Sequence, residues 1–448
     1  MSMTWDEILI SKRLGKKDGY DQITRSEFHR DYDRVVFSSA FRRLQDKTQV
    51  FPLAHIDYVR TRLTHSLEVA SVGRSLGLEI GAYLSKHKKM TNCTDVDVAG
   101  IVATACLAHD IGNPPFGHSG EDAIQEWFTL SQGQQALSGL SEQQRLDFLN
   151  FEGNAQGFRI LTRLQHPDNV GGLQLTLASL ATLMKYPVNS LVSNSYKNEL
   201  GICAKKFGYF QSEEYMYHEI AKDLSLLKTP KGGYFRHPLS YLVEAADDVC
   251  YHFIDLSDGF RLNHLQYNEV EDLLLQFHDS SKSKILNRIK DLHDEKEKVE
   301  YLCGCTISKV ISEIIQEFIA HEDDLLSGSY PYELVSRIPS NQYMKQLLDL
   351  TAQKIYRVRE VLEIEAAGFE ILGGLLTILH ENFTKVLEGN SKRSRKILQL
   401  IPNQFLDKNR EPYRDKYKMM MSITDYISGM TDSYAVSIYQ KLKGISIT

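Results

Sequence analysis

The chain of 448 residues is long enough to bury a large core, and length alone suggests about three units. Its 52 Lys and Arg against 58 Asp and Glu give a formal net charge of −6, which excludes a generally basic nucleic-acid coat though not a local basic groove. Hydrophobic residues at 42% and charged residues at 25% exclude a disordered chain.

The longest near-continuous apolar run, residues 101–108, is far too short for a membrane span. The opening MSMTWDEILISKRLG lacks the uninterrupted apolar stretch of a secretory signal. Six cysteines without a Cys-x-x-Cys pair make neither a disulfide framework nor a zinc ribbon, and Cys303-Gly304-Cys305 reads as incidental. The expectation is a cytoplasmic protein.

In chain order, residues 64–84 place Leu67, Val69, Val72, Leu76 and Ile80 at steps near three and four, which predicts an amphipathic helix. Residues 97–108 are nearly all apolar and predict a buried helix. A further helix is expected over 119–128. Residues 129–144 are rich in Gln, Ser and Gly, residues 188–198 in Asn and Ser, and both read as loops or insertions. Strand-like alternation is scarce, with at most a short hairpin near Phe207 to Phe210. The loop 230–237, with Gly232-Gly233, stops before Pro238, which suits a helix start. Helical spacing follows over 238–257, a charged solvated helix over 282–300, and helical patterns over 307–319, 355–379 and 419–442. The class is all-α. Three divisions are expected: an N-terminal segment 1–29, a core 30–270 with insertions near 129–144 and 188–198, and a helical region 271–448 beginning where the chain turns strongly charged.

His-Asp occurs three times, at His109-Asp110, His278-Asp279 and His293-Asp294, so the dipeptide alone says little. The second leads into polar Asp279-Ser280-Ser281 and the third lies among charges; both read as solvated helix faces. His109-Asp110 instead ends an apolar helix and runs into Ile111-Gly112-Asn113-Pro114-Pro115-Phe116-Gly117. A charge beside a buried helix is costly unless compensated, and a metal ion is the simplest compensation. Adjacent helical residues point about 100° apart, yet both can meet one ion at a helix terminus, which Gly112 and two prolines supply. Two more ligands are then needed. His65 opens the helix of residues 64–84, with Arg62 just before it, although a lone histidine there is more often a cap or core residue. Leu239, Val243, Asp247, Tyr251 and Asp255 recur at every fourth position and form a slowly drifting stripe. Asp247 therefore shares a face with core residues, while Asp248 points elsewhere. An acid on such a face is either raised in pKa by desolvation or held ionised by a cation. Two imidazoles and two carboxylates suit one first-row divalent ion with positions open for water and substrate.

The pattern His65, His109-Asp110, Asp247 resembles the signature of the HD-domain metal phosphohydrolases. The flanking segments resemble the bacterial dGTP triphosphohydrolase (dNTPase) branch. These run from Arg42-Arg43-Leu44-Gln45-Asp46-Lys47-Thr48-Gln49-Val50-Phe51-Pro52 and Arg60-Thr61-Arg62-Leu63-Thr64-His65-Ser66 through His109–His118, Phe151-Glu152-Gly153-Asn154-Ala155-Gln156 and Ala246-Asp247-Asp248 to Asp425-Tyr426-Ile427-Ser428-Gly429-Met430-Thr431-Asp432. They span about residues 30–435.

The resemblance implies an all-α HD-domain helical bundle with additional C-terminal helices. It also implies hydrolysis of dGTP or several deoxynucleoside triphosphates to deoxynucleoside and tripolyphosphate, with attack at the α-phosphorus. One divalent metal ion per site would be held by His65, His109, Asp110 and Asp247, and such a donor set accepts Mg, Mn, Co, Ni or Fe. His118 and Glu121 match a catalytic His–Glu pair, and a histidine poised by a carboxylate is a reasonable acid or base. The plain alternative is a helix cap by Ser119 and Asp122, with His118 merely preceding it. Arg62 is a phosphate partner by position, and the Lys185-Tyr186-Pro187 and Lys206-Phe207-Gly208 blocks carry lysines that contact phosphate in the family. Tyr251 would pack on the sugar and crowd a 2′-hydroxyl, Gln49 and Asp255 would bond the 3′-hydroxyl, and Asn154 would lie near the base or phosphates. A homo-oligomer is implied, a hexamer among the possibilities.

Another HD-type nucleotide phosphohydrolase is the rival enzyme, but it has no need of the His118–Glu121 segment or the two lysine blocks. A nucleotide or single-stranded DNA sensor is the rival of another class. It would rest on Lys392-Arg393-Ser394-Arg395-Lys396 and on residues 408–418, where Tyr413 and Tyr417 interleave with cations.

Overall fold

A computed structural model describes residues 2–16, 25–49, 60–279, 281–389 and 391–445. The Val50-Phe51-Pro52 end of the first quoted segment lies outside them. Among the described residues there are helices and isolated bridges but no strand, and no helix is long and apolar enough to cross a membrane.

Three helices build the frame of the site: α1 (Arg62–Lys86), α2 (Asp95–Ala108) and the later helix Ser240–Arg261. α2 starts on a capping box between Thr94 and Asp97 and buries nearly its whole length. It runs antiparallel to α1. Gly73, Gly77 and Gly81 of α1 face Cys106, Ala99 and Asp95 of α2, so close that a Cβ on Gly77 would sit 2.8 Å from the Ala99 Cα. This backbone-to-backbone approach brings the start of α1, with His65, beside the end of α2, with His109. The chain then turns through Gly112 into α3 (Gly117–Thr129) and, after two short helices, α4 (Gly153–Arg159). α5 (Ser240–Arg261) packs across α1 and α2 and carries Asp247 on its inner face. α6 (Glu295–Ala320) packs on α5 and also touches α1.

The apolar core forms two clusters. The first joins α1, α2, α5 and α6; the second joins α3 to three C-terminal helices, α7 (Arg359–Leu387), α8 (Lys416–Ser428) and α9 (Asp432–Lys443). Trp127, Phe128, Leu372, Leu376, Met420 and Ile427 meet in that second cluster, so the C-terminal helices support the element that carries His118.

Several expectations are corrected. The stretch read as a loop over 129–144 holds helices Ser131–Leu137 and Glu142–Leu149, and the stretch 188–198 holds Ser190–Leu200. Burial of Ala136, Leu137, Phe148 and Val192 overrides their weak local periodicity. No hairpin forms near Phe207 to Phe210; both rings are buried in the second cluster and Tyr209 makes only an isolated bridge with Asn189. The charged stretch 282–300 is broken, because the Asp294 side chain caps a new helix at Glu295. Residues 419–442 form two helices, restarted where Thr431 caps α9.

Candidate functional site

The imidazoles of His65 and His109 lie 5.3 Å apart between ring centres. Asp247 Oδ1 sits 3.2 Å from His65 Nε2 and 3.3 Å from His109 Nε2, and the three ligand atoms all lie within 4.8 Å of one another. His109 Nδ1 donates to the Cys106 carbonyl at 2.6 Å, which fixes the tautomer and leaves Nε2 as a bare acceptor. That Nε2 is buried with no hydrogen-bond partner among the described residues. Burial alone would raise the Asp247 carboxyl, but Lys185, 2.8 Å from Oδ2, and the imidazoles hold it well below the usual carboxylate range.

Asp110 stands slightly apart. Its Oδ2 accepts from Arg62 Nη1 and its Oδ1 from Asn113 Nδ2, each at 2.6 Å, and Oδ1 lies 3.5 Å from His109 Nε2. The His-Asp turn is pressed against α4: a Cβ on Gly112 would collide with the Gly153 carbonyl and the Gly157 amide. Only glycine fits there.

These groups line a cavity of about 530 Å³. Every site residue expected from the sequence lines it except Asp255. α3 begins at Gly117, two residues before Ser119, so the capping role proposed for Ser119 has no helix start to cap. His118 Nδ1 lies 3.0 Å from Glu121 Oε2, and Glu121 Oε1 accepts from the Gly153 amide at 2.7 Å. The hydrogen bond to Glu121 raises the His118 pKa, while its ring stays 78% exposed to the cavity. Lys206 Nζ lies 3.1 Å from Glu152 and 3.8 Å from Glu121. Burial, reinforced by Glu121, pushes the Glu152 carboxyl up to about 7. Asn154 Nδ2 donates to Glu152 at 2.7 Å. Tyr186 lies against the Arg236 guanidinium, which is paired with Glu244. Gln49 Oε1 is buried with no hydrogen-bond partner among the described residues.

Tyr251 stacks on Tyr356 with ring centres 5.5 Å apart at 24°. Asp255 lies behind that stack: it is buried, accepts from the Tyr356 hydroxyl at 2.6 Å, and is pushed up to about 8 by burial. The structure therefore does not bring it to the cavity wall. Tyr356, Val361 and Glu365 enter the wall from the C-terminal region and were missed, as were Glu152 and Glu244; Asp248, expected to point elsewhere than Asp247, also lines the cavity. Glu152 sits inside a quoted segment and was within reach of sequence reading; the distant three were not. In the basic stretch, Arg395 pairs with Glu411 at 3.0 Å, and Tyr417 is buried and donates to Asp147 at 2.6 Å. Tyr417 is thus unavailable for base stacking.

Residues 62–150 match the HD domain family, and residues 339–441 match the phosphohydrolase-associated domain family. A Synechocystis deoxyguanosinetriphosphate triphosphohydrolase-like protein is 42% identical over 99% of this chain and 100% of its own length. A Pseudomonas aeruginosa protein of the same name is 39% identical over 99% of each chain. A Yersinia enterocolitica deoxyguanosinetriphosphate triphosphohydrolase is 30% identical over 97% of this chain and 98% of its own. The chain belongs to the deoxyguanosinetriphosphate triphosphohydrolase-like family. As a member of that HD-domain family it is a hydrolase. The HD domain is a metal-dependent phosphohydrolase fold, and the bare His109 Nε2 beside His65 and Asp247 is what a metal-binding donor set requires.

Proposed function

We propose that the protein hydrolyses deoxynucleoside triphosphates to deoxynucleoside and tripolyphosphate, water attacking the α-phosphorus. One observation carries this reading: metal-type donors, a His–Glu pair and cationic side chains share one cavity. His65, His109 and Asp247 would hold one divalent cation, with Asp110 joining them. Mg, Mn, Co, Ni or Fe suits such nitrogen–oxygen donors. When bound, such an ion makes water more acidic and polarises a phosphoryl oxygen.

The bond between phosphorus and the 5′-oxygen breaks as the water oxygen bonds to the α-phosphorus, and the leaving oxygen needs a proton. His118 is suited to give it from Nε2, since Nδ1 is engaged by Glu121, which keeps the imidazolium populated. Lys185, Lys206 and Arg62 each face a carboxylate in the cavity and are suited to share their charge with the phosphates. Tyr186 and Asn154 would border the phosphates and base. Gln49 Oε1, buried and unpartnered, is suited to accept from the 3′-hydroxyl. Tyr251, braced by Tyr356, would pack on the sugar and crowd a 2′-hydroxyl. Asp255 would act through the Tyr356 hydroxyl.

The test is product analysis with each deoxynucleoside triphosphate. Deoxynucleoside and tripolyphosphate in equal amounts are expected; a nucleoside mono- or diphosphate product would count against the reading.

A further inference from the structure

We propose that Asp432, the first residue of α9, is a positioning residue that registers the His118 turn against the Gln49 segment. The inference rests on the roles given above to His118 and Gln49.

Asp432 is buried, and its two oxygens serve two separate segments. Oδ1 accepts from the Phe116 amide at 3.0 Å; Oδ2 accepts from the Thr48 amide at 3.0 Å and the Thr48 hydroxyl at 2.6 Å. Phe116 is the residue before α3, with φ 64 and ψ 15, and Gly117 follows at φ 61. A left-handed phenylalanine is strained and persists only where its surroundings hold it. This pair of residues sets the direction in which α3 starts, and His118 is the next residue. Thr48, on the other oxygen, precedes Gln49, whose Oε1 is buried and unpartnered beside the cavity.

A second clamp runs in parallel. Lys47 is buried and donates through Nζ to the carbonyls of Asn113 and Ser428. Asn113 in turn holds Asp110. The junction between α8 and α9 thus acts as a template for residues 113–117, the short stretch between the His-Asp motif and His118. A carboxylate satisfied by donors from two segments, beside the buried Lys47 ammonium, is suited to fix a distance. The distance here is the one from proton donor to sugar acceptor.

The test compares Asp432→Asn in the wild-type and His118→Ala backgrounds. An amide keeps one acceptor and turns N–H groups toward the remaining donors, so one segment is released. In the wild-type background kcat should fall about ten- to hundredfold, the effect of a small misplacement. Metal content by elemental analysis should match the wild type and the cooperative unfolding transition should persist. In the His118→Ala background the same substitution should cost kcat less than about threefold, because the share of its effect that passes through His118 is already lost, while the share that passes through Thr48 and Gln49 appears in KM. A folded Asp432→Asn with unchanged kcat overturns the proposal; so does an equal loss in both backgrounds. If Asp432→Asn does not fold, Thr48→Val carries the test. It should raise KM severalfold and shrink the preference for 2′-deoxy over 2′,3′-dideoxy triphosphates, and no change in either overturns the proposal. A wild type inactive on deoxynucleoside triphosphates, or a fully active His118→Ala, instead sinks the functional reading itself.

Discussion

Replacing Glu121 with Gln isolates what its carboxylate does for His118. In the wild type, His118 Nδ1 faces a carboxylate oxygen at 3.0 Å, and the other oxygen takes the Gly153 amide at 2.7 Å. A glutamine that keeps its carbonyl on Gly153 must turn its N–H groups toward Nδ1, which suits a neutral ring and repels the imidazolium. The sign follows from the raised pKa of His118, whose protonated form persists to higher pH than in a free histidine. Activity that needs this proton is full at low pH and is lost as pH rises through that pKa. Glu121→Gln moves this alkaline limb to lower pH. The ring is 78% exposed, so solvent screens the pair. Exposed pairs contribute roughly 0.2–1 kcal/mol, which at about 1.36 kcal/mol per unit is a shift of roughly 0.15–0.75 unit. The assay is kcat against pH between about 5 and 9 with saturating deoxynucleotide. His118→Ala should slow turnover about 10²–10⁴-fold with metal retained, and Glu121→Gln should lie between it and the wild type. An alkaline limb that stays in place in Glu121→Gln, or moves upward, refutes the reasoning.

Asp247→Ala should lose both bound metal, by elemental analysis, and turnover, whereas Asp248→Ala should retain the metal; equal metal loss would remove the distinction between the neighbours. Arg159 is buried and forms a two-pronged pair with Asp425, at 2.8 and 2.7 Å, besides holding Glu213. Arg159→Ala leaves Asp425 with the Gln156 amide and Glu213 with the half-exposed Arg163 and Ser212, and should destabilise by about 3–5 kcal/mol in urea unfolding; a loss below about 1 kcal/mol would show the network to be dispensable. Tyr251→Ala should admit ribonucleotides in competition assays, and unchanged discrimination would dispose of the steric argument.

His109-Asp110 was legible because two polar side chains follow an apolar helix, and Asp247 because it interrupts an apolar stripe on α5. Asp255, expected at the sugar from the family resemblance, lies off the cavity wall although it belongs to the same stripe. At about 100° per residue, eight residues on from Asp247 rotate about 80° around the axis, enough to turn Asp255 from the cavity toward Tyr356. Asp110 was legible as part of the site, but its hydrogen bonds to Arg62 and Asn113 depend on packing between α1 and the turn. Tyr356, Val361 and Glu365 arrive from about a hundred residues beyond α5, and no local spacing announces them. The helices over 131–149 were missed for a related reason: Phe148 and Leu137 find their partners in α3 and the C-terminal helices, not in their own sequence neighbourhood.

Hydrolysis in ¹⁸O-labelled water tests the central claim most directly. Attack at the α-phosphorus places the label in tripolyphosphate and leaves the deoxynucleoside unlabelled. Label in the nucleoside 5′-hydroxyl, or labelled orthophosphate as the first product, would contradict it.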